Sequence, residues 1–315
     1  MGKIAFLFPG QGSQAVGMGV DLVETEAACK EIFTRADKRL GYSLSEIMAN
    51  GPEEKLRRTE HTQPALVTMS VAVLELLKEA NISPDYVAGH SLGEYSALVA
   101  ARALSFEDAV YAVRNRGLFM EEAVPFGEGA MAAVLGMTVE ALEEVCKEVQ
   151  SQGHVAELAN LNCPGQIVIS GSSEGVSLAS ELAKEKGAKR VIPLQVSGPF
   201  HSSLMKPAAD KLAAILDELT ISDASIPVIS NVAAKEQTNA DEIKAKLVEQ
   251  VYSPVRWEET IRTLLDQGVD TFIEVGSGNV LTGLVKKVNR RSQAFAVNDR
   301  ESLHKVIEKL EGVTE

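Results

Sequence analysis

Residues 86–102 read YVAGHSLGEYSALVAAR. Tyr86-Val87-Ala88 is a short apolar run suited to a strand. Gly89–Gly93 is a G-x-S-x-G sequence. Glu94 to Arg102, rich in Ala and Leu, reads as a helix. Strand, sharp turn and helix in that order make a nucleophile elbow, a feature of α/β sheets. Gly89 and Gly93 remove side chains that would collide across the turn. Ser91 then stands at a helix N-terminus, where N–H groups and the helix dipole favour developing negative charge.

Outward from the elbow, the chain alternates strands and helices. Lys3–Phe8 is nearly continuous in apolar residues, as suits a strand buried on both faces of a parallel sheet. Similar runs recur at Ile226–Ser230, Phe272–Val275 and Ala294–Val297. Helical patterns are predicted at Thr68–Glu79, Phe106–Glu122, Ala208–Glu218 and Trp257–Leu265. This alternation predicts an α/β fold with a parallel core. Between Gly127 and Ser197 the rhythm changes. Ala130–Leu135, Val155–Leu161, Gln166–Ser170 and Arg190–Val196 read as strands, and Val139–Gln150 and Glu174–Lys186 as helices. That order is β-α-β-β-α-β, the pattern of a ferredoxin-like unit. The expected organisation is therefore a large α/β domain, residues 1–126 and 198–315, with a small ferredoxin-like subdomain, residues 127–197, inserted into it.

Bulk properties narrow the function classes. The chain has 315 residues, 45% apolar and 24% charged, as in globular proteins that bury a sizeable core. Its formal net charge of −13 argues against nucleic acid as a partner. No apolar run reaches the length of a membrane span, and the N-terminus lacks a signal-peptide pattern. Three scattered cysteines, Cys29, Cys146 and Cys163, form neither a disulfide framework nor a metal-ligand spacing. A cytoplasmic setting and no bound metal are expected.

Gly10-Gln11-Gly12-Ser13-Gln14-Ala15 satisfies a dinucleotide-binding fingerprint, and Gly276-Ser277-Gly278 echoes it. The nucleotide reading also needs a second strand ending in an acid about 20 residues on. Residues 21–40 look helical instead. A Gly-rich loop after a strand has another use, which is to present backbone N–H groups. In an elbow enzyme one oxyanion donor is the N–H of the residue after the nucleophile, here Leu92, and the other comes from a loop after a different strand. Gln11 is the candidate for the second donor.

A serine hydroxyl needs a base. Of five histidines, His90 adjoins Ser91 and is read as structural, and His154 and His304 lie in a loop and a polar helix. His61 precedes Thr62-Gln63-Pro64 in an expected loop. His201 lies in the Gly/Pro-rich junction where the chain re-enters the large domain, and it leads on position. The acid of a hydrolase triad, expected between nucleophile and histidine, is missing. Either a carboxylate lies elsewhere or a neutral acceptor orients the imidazole.

The chain resembles the malonyl-CoA:acyl carrier protein transacylases of type II fatty acid synthesis. The resemblance rests on Gly10–Gln14, Thr62–Ala65, Gly89–Glu94, Arg114–Gly117, Asn160–Gly165, Gly198–His201, Tyr252–Trp257 and Glu274–Gly276. Ser277 departs from it, since the family usually has Pro there. The resemblance implies a ping-pong acyl transfer. Ser91 is then the nucleophile and His201 the base and acid. Gln11 and Leu92 form the oxyanion hole, Arg116 anchors the malonyl carboxylate, and the main-chain carbonyl near Gln250 orients the histidine. Malonyl-CoA and CoA would be substrate and product, with no permanently bound cofactor. The partner would be acyl carrier protein, and a monomer is expected.

Residue reading alone leaves Arg114 and Arg116 as alternatives, because they flank one apolar helical stripe on opposite margins. A serine hydrolase on the same elbow remains the runner-up activity. Acyl carrier proteins of this family are acidic, like this chain, so docking needs a local basic patch. Lys286 and Lys287, with Arg290 and Arg291 four residues on, would share a helix face and make that patch. The group around Lys186–Arg190 is the alternative.

Overall fold

Lys3–Phe8 forms strand β1, and Ala5 through Phe8 are all fully buried, as its apolar run requires. The structure is a computed structural model that describes residues 2–312. The other strands are β2 (Tyr86–Gly89), β3 (Gly129–Leu135), β4 (Ala156–Cys163), β5 (Gln166–Ser172), β6 (Arg190–Pro193), β7 (Val228–Ile229), β8 (Glu236–Gln237), β9 (Val269–Val275) and β10 (Gln293–Val297).

Two sheets result. The larger runs β10-β9-β1-β2-β7-β8. Its first five strands pair in parallel and β8 closes the edge antiparallel to β7. The smaller sheet runs β4-β5-β3-β6, with every pair antiparallel. Helices Val139–Ser151 and Ser173–Glu185 cover it, burying Leu142, Val145, Val149 and Val176 against Ile167 and Ile169. The chain thus has the expected α/β class. β4 is tied to the segment before helix Trp257–Asp266: Leu161 N–H donates to Val255 O at 2.9 Å and Val255 N–H to Ala159 O at 2.9 Å.

Several expected elements shift. The helix expected from Thr68 begins at Thr59 and runs to Glu79, so His61 and Pro64 are helical rather than in a loop. Every residue from Thr59 to Leu74 is buried. Packing on all sides outweighs the bond that Pro64 cannot make. Ile226–Ser230 contracts to the two residues Val228 and Ile229. The helix Val280–Val288 stops before Arg290, because Asn289 turns extended at φ −142°. Arg290 and Arg291 therefore do not continue the helix face of Lys286 and Lys287, which corrects the i, i+4 expectation. No helix among the described residues is long and apolar enough to cross a membrane.

Candidate active site

The elbow follows β2 and precedes helix Gly93–Ala100. A Cβ on Gly89 would lie 1.9 Å from the Gly93 carbonyl group, and one on Gly93 would lie 2.2 Å from Phe8 O. Glycine at both positions is therefore what lets the turn close. Ser91 sits at φ 53°, in the left-handed region that non-glycine residues rarely occupy. That conformation is held by Asn231, whose Oδ1 accepts the Ser91 N–H at 2.7 Å while its Nδ2 donates to Gly89 O at 2.6 Å.

Within the turn, Gly93 N–H goes to His90 O, Glu94 N–H to Ser91 O and Tyr95 N–H to Leu92 O. The Leu92 N–H is left without a partner among the described residues, as expected of the first amides of a helix. Gln11 lies in the turn after β1 and lines the same cavity as Ser91. Its side chain donates to Thr59 Oγ1 at 3.4 Å.

His201 lies across from Ser91, with Nε2 2.8 Å from Ser91 Oγ. Its Nδ1 is 2.8 Å from Gln250 O and 3.2 Å from Ser253 O. Both are acceptors, so Nδ1 carries the proton and Nε2 turns its lone pair toward the Ser91 hydroxyl. Gln250 is the last residue of helix Ala240–Gln250, whose final carbonyls have no intrahelical partner. The helix end thus supplies main-chain acceptors where a hydrolase triad has its acid. Burial, and next the Arg116 charge, push the His201 imidazole down to about 3, so it rests neutral.

Arg116 is 1% exposed and reaches the site from helix Phe106–Ala123. It donates to Ser91 Oγ at 3.2 Å, Gln63 Oε1 at 2.8 Å and Gln250 Oε1 at 3.1 Å. Every one of these acceptors is neutral, and no carboxylate lies within ion-pair distance of it among the described residues. Arg114 instead reaches the buried Glu60, 4.0 Å away, and lies over the Tyr42 ring. Of the two arginines, only Arg116 lines the cavity with Ser91.

That cavity holds about 110 Å³ and is lined by Gln11, His90, Ser91, Arg116, Asn160 and His201, among others. At roughly 30 Å³ per water, it has room for a short group and not a long chain. A groove of about 800 Å³ adjoins it, sharing Gln11 and Val196. His90 faces away from the serine: its Nε2 is 2.8 Å from Asn162 Oδ1 and its ring lies against Trp257. It ties the elbow to β4.

Sequence reasoning gave no role to Asn231, Glu94, Gln63 or Ser253. Asn231 stands two residues after β7, the neighbour of β2, at the carboxyl edge where open parallel sheets place their sites. That position is the signal that marks it. Glu94 is 1% exposed and accepts from Gln250, Gln237 and the Asn231 N–H. Burial raises its carboxyl to about 7 against the pull of those donors.

Lys286 and Lys287 lie outside this cluster. Lys286 Nζ donates to Ser292 O at 2.5 Å, and Lys287 Nζ donates from helix Val280–Val288 to Gln166 Oε1 of β5 at 2.8 Å. In the alternative basic group, Lys186 pairs with Glu148 at 2.6 Å.

The acyl transferase domain family matches residues 5–307. The chain is 62% identical over 310 residues to a malonyl CoA-acyl carrier protein transacylase of Bacillus subtilis, covering 98% of each chain. It is 48% identical over 303 residues to one from Staphylococcus aureus, covering 96% of this chain and 98% of the relative. A solved acyl carrier protein S-malonyltransferase from Vibrio cholerae superposes with a TM-score of 0.94 at 48% identity, over 96% of this chain and 99% of that one. A malonyl-transacylase solved in complex with its type II PKS acyl-carrier protein gives 0.95 at 45% identity, over 98% and 99%.

Proposed function

The chain belongs to the malonyl-CoA:acyl carrier protein transacylases of the acyl transferase family, and on that premise we propose that Ser91 is the residue that carries the malonyl group. The enzyme transfers malonyl from malonyl-CoA to acyl carrier protein. The observation that carries the assignment of the site is the buried guanidinium of Arg116. It stands 3.2 Å from the nucleophile and has only neutral partners. A buried cation without a counter-ion is costly. An acyl group that ends in a carboxylate supplies that counter-ion through a bidentate fork.

The steps follow from the contacts. Ser91 Oγ attacks the thioester carbonyl carbon, and its proton moves to His201 Nε2. The carbonyl oxygen becomes an oxyanion, for which the Leu92 and Gln11 N–H groups are the donors. The C–S bond breaks, and the proton on Nε2 goes to the departing CoA thiolate. The carrier's pantetheine thiol then gives its proton to Nε2, attacks the serine ester, and Ser91 Oγ leaves and regains a proton. Carbonyls at a helix C-terminus stabilise the imidazolium formed midway. Binding malonate also cancels part of the Arg116 field that holds His201 down, so the base strengthens when substrate is seated.

The finer architecture supports a matching reading. The order β4-β5-β3-β6 is that of a ferredoxin-like unit, here residues 127–197. Residues 1–126 and 198–315 form the hydrolase-like unit, of which residues 1 and 313–315 lie outside the described residues. We place the enzyme in the cytoplasm as a monomer, with Lys286 and Lys287 at the carrier's dock.

Intact mass after incubation with malonyl-CoA tests the assignment. The parent should gain one malonyl group on the peptide holding Ser91, and Ser91→Ala should gain none. An adduct retained in Ser91→Ala sinks the proposal. An adduct that water removes as fast as carrier protein does would point to a hydrolase.

A further inference from the structure

Glu94 is a buried carboxylate that touches neither the nucleophile's hydroxyl nor the base. No cation lies within ion-pair distance of it among the described residues. Its partners are all donors: Gln237 Nε2 at 2.8 Å on one oxygen, and Gln250 Nε2 at 2.7 Å and Asn231 N–H at 3.2 Å on the other. Gln250 Nε2 also donates to Ser91 O at 3.0 Å, and its Oε1 accepts from Arg116 at 3.1 Å.

An amide can turn over and exchange its donor and acceptor ends. Only one orientation serves Arg116 here. With Oε1 toward the guanidinium, Gln250 accepts. Turned over, its NH₂ meets the guanidinium donor to donor. Two acceptors hold the NH₂ end in place, Ser91 O and Glu94 Oε2, and the Glu94 oxygen makes the stronger bond whenever its carboxyl is ionised. The same amide also separates the Glu94 carboxylate from the Arg116 guanidinium. A direct pair between them would neutralise the arginine and leave an incoming carboxylate nothing to bind.

We propose that Glu94 is a positioning residue for acyl-group selection: its carboxylate fixes the Gln250 amide, which keeps Arg116 aimed into the cavity and unpaired. This rests on the reading that Arg116 anchors the carboxylate of the acyl group. What matters is an acceptor at the Oε2 position. Glu94→Gln retains one, because Gln237 has an Oε1 without a partner and can turn it to the new NH₂. Glu94→Met fills similar space and accepts nothing.

The test compares loading from malonyl-CoA with loading from acetyl-CoA, which has no carboxylate. Glu94→Met should lower kcat/KM for malonyl-CoA by about tenfold or more, mainly through KM, and that for acetyl-CoA by less than about threefold. Glu94→Gln should restore the parental ratio to within about threefold. A folded Glu94→Met with parental selectivity overturns the proposal. So do equal losses for both substrates, or a Gln variant as impaired as Met. If Glu94→Met does not fold, Glu94→Asp asks the same question, since its shorter side chain draws back from Gln250. It must lose malonyl selectivity, and keeping it overturns the proposal. Arg116→Ala, run in parallel, separates the two readings. Equal losses there remove the anchor itself, whereas selective loss there with none at Glu94 removes only the positioning role.

Discussion

At the scale of single residues, the site is organised around one unpaired charge. Arg116 is the second cause of the low His201 value, after burial. Removing it should raise the imidazole from about 3 toward its ordinary value. A base must be neutral to act, so a raised value moves the acid limb of the rate profile to higher pH. In Arg116→Ala, kcat/KM for acetyl-CoA should begin to fall at a higher pH than in the parent as the solution is acidified. Acetyl-CoA is the right probe because it does not use the carboxylate anchor. Coincident acid limbs in the two proteins would show that Arg116 does not set the base. Ser91, His201 and Arg116 were legible as candidates because residue type and position carry chemistry. Asn231 and Glu94 were not, because their roles lie in contacts across 140 and 156 positions of chain, made only when the strands align.

At the scale of elements, the elbow depends on backbones approaching closer than any side chain allows. Gly89→Ala would put a methyl 1.9 Å from the Gly93 backbone. The turn must open, and Ser91 must leave the line of His201 Nε2. Urea unfolding should show a loss of about 1–3 kcal/mol, and the malonyl adduct should vanish even in the fraction that stays folded. Gly283 is the matched control. It lies in helix Val280–Val288, exposed, with open space where its Cβ would be. Gly283→Ala should stabilise by about 0.4–1 kcal/mol and leave acylation unchanged. Parental adduct levels in Gly89→Ala would contradict this account of the turn. Element types were largely readable from periodicity, as β1 and the helix at Phe106 show. Boundaries failed where burial overrode local preference. Pro64 suggested a loop, yet packing on every face keeps it helical. Glu236–Gln237 became a strand only by pairing with β7, which no local pattern signals.

At the scale of the whole molecule, the cavity draws on both sheets, because β4 brings Asn160 to it and Asn162 to His90. The proposed carrier, acidic as the family resemblance implies, must approach a chain of net charge −13. Repulsion between the two must be overcome within a Debye length, about 8–10 Å, so the basic side chains count only if they stand near the site and point outward. Lys286 is partly committed to Ser292 O, where it closes the turn after its helix. Lys287 bridges from its helix to the neutral Gln166 of β5, so no carboxylate offsets its charge there among the described residues. Lys287 is therefore the stronger member of the proposed dock. Lys287→Glu should raise the KM for carrier protein by about three- to tenfold at low salt, with the effect shrinking as salt rises. The KM for malonyl-CoA should stay within about twofold. A parallel rise in both would assign the lysine to the CoA phosphates instead, and an unchanged carrier KM would remove it from the dock.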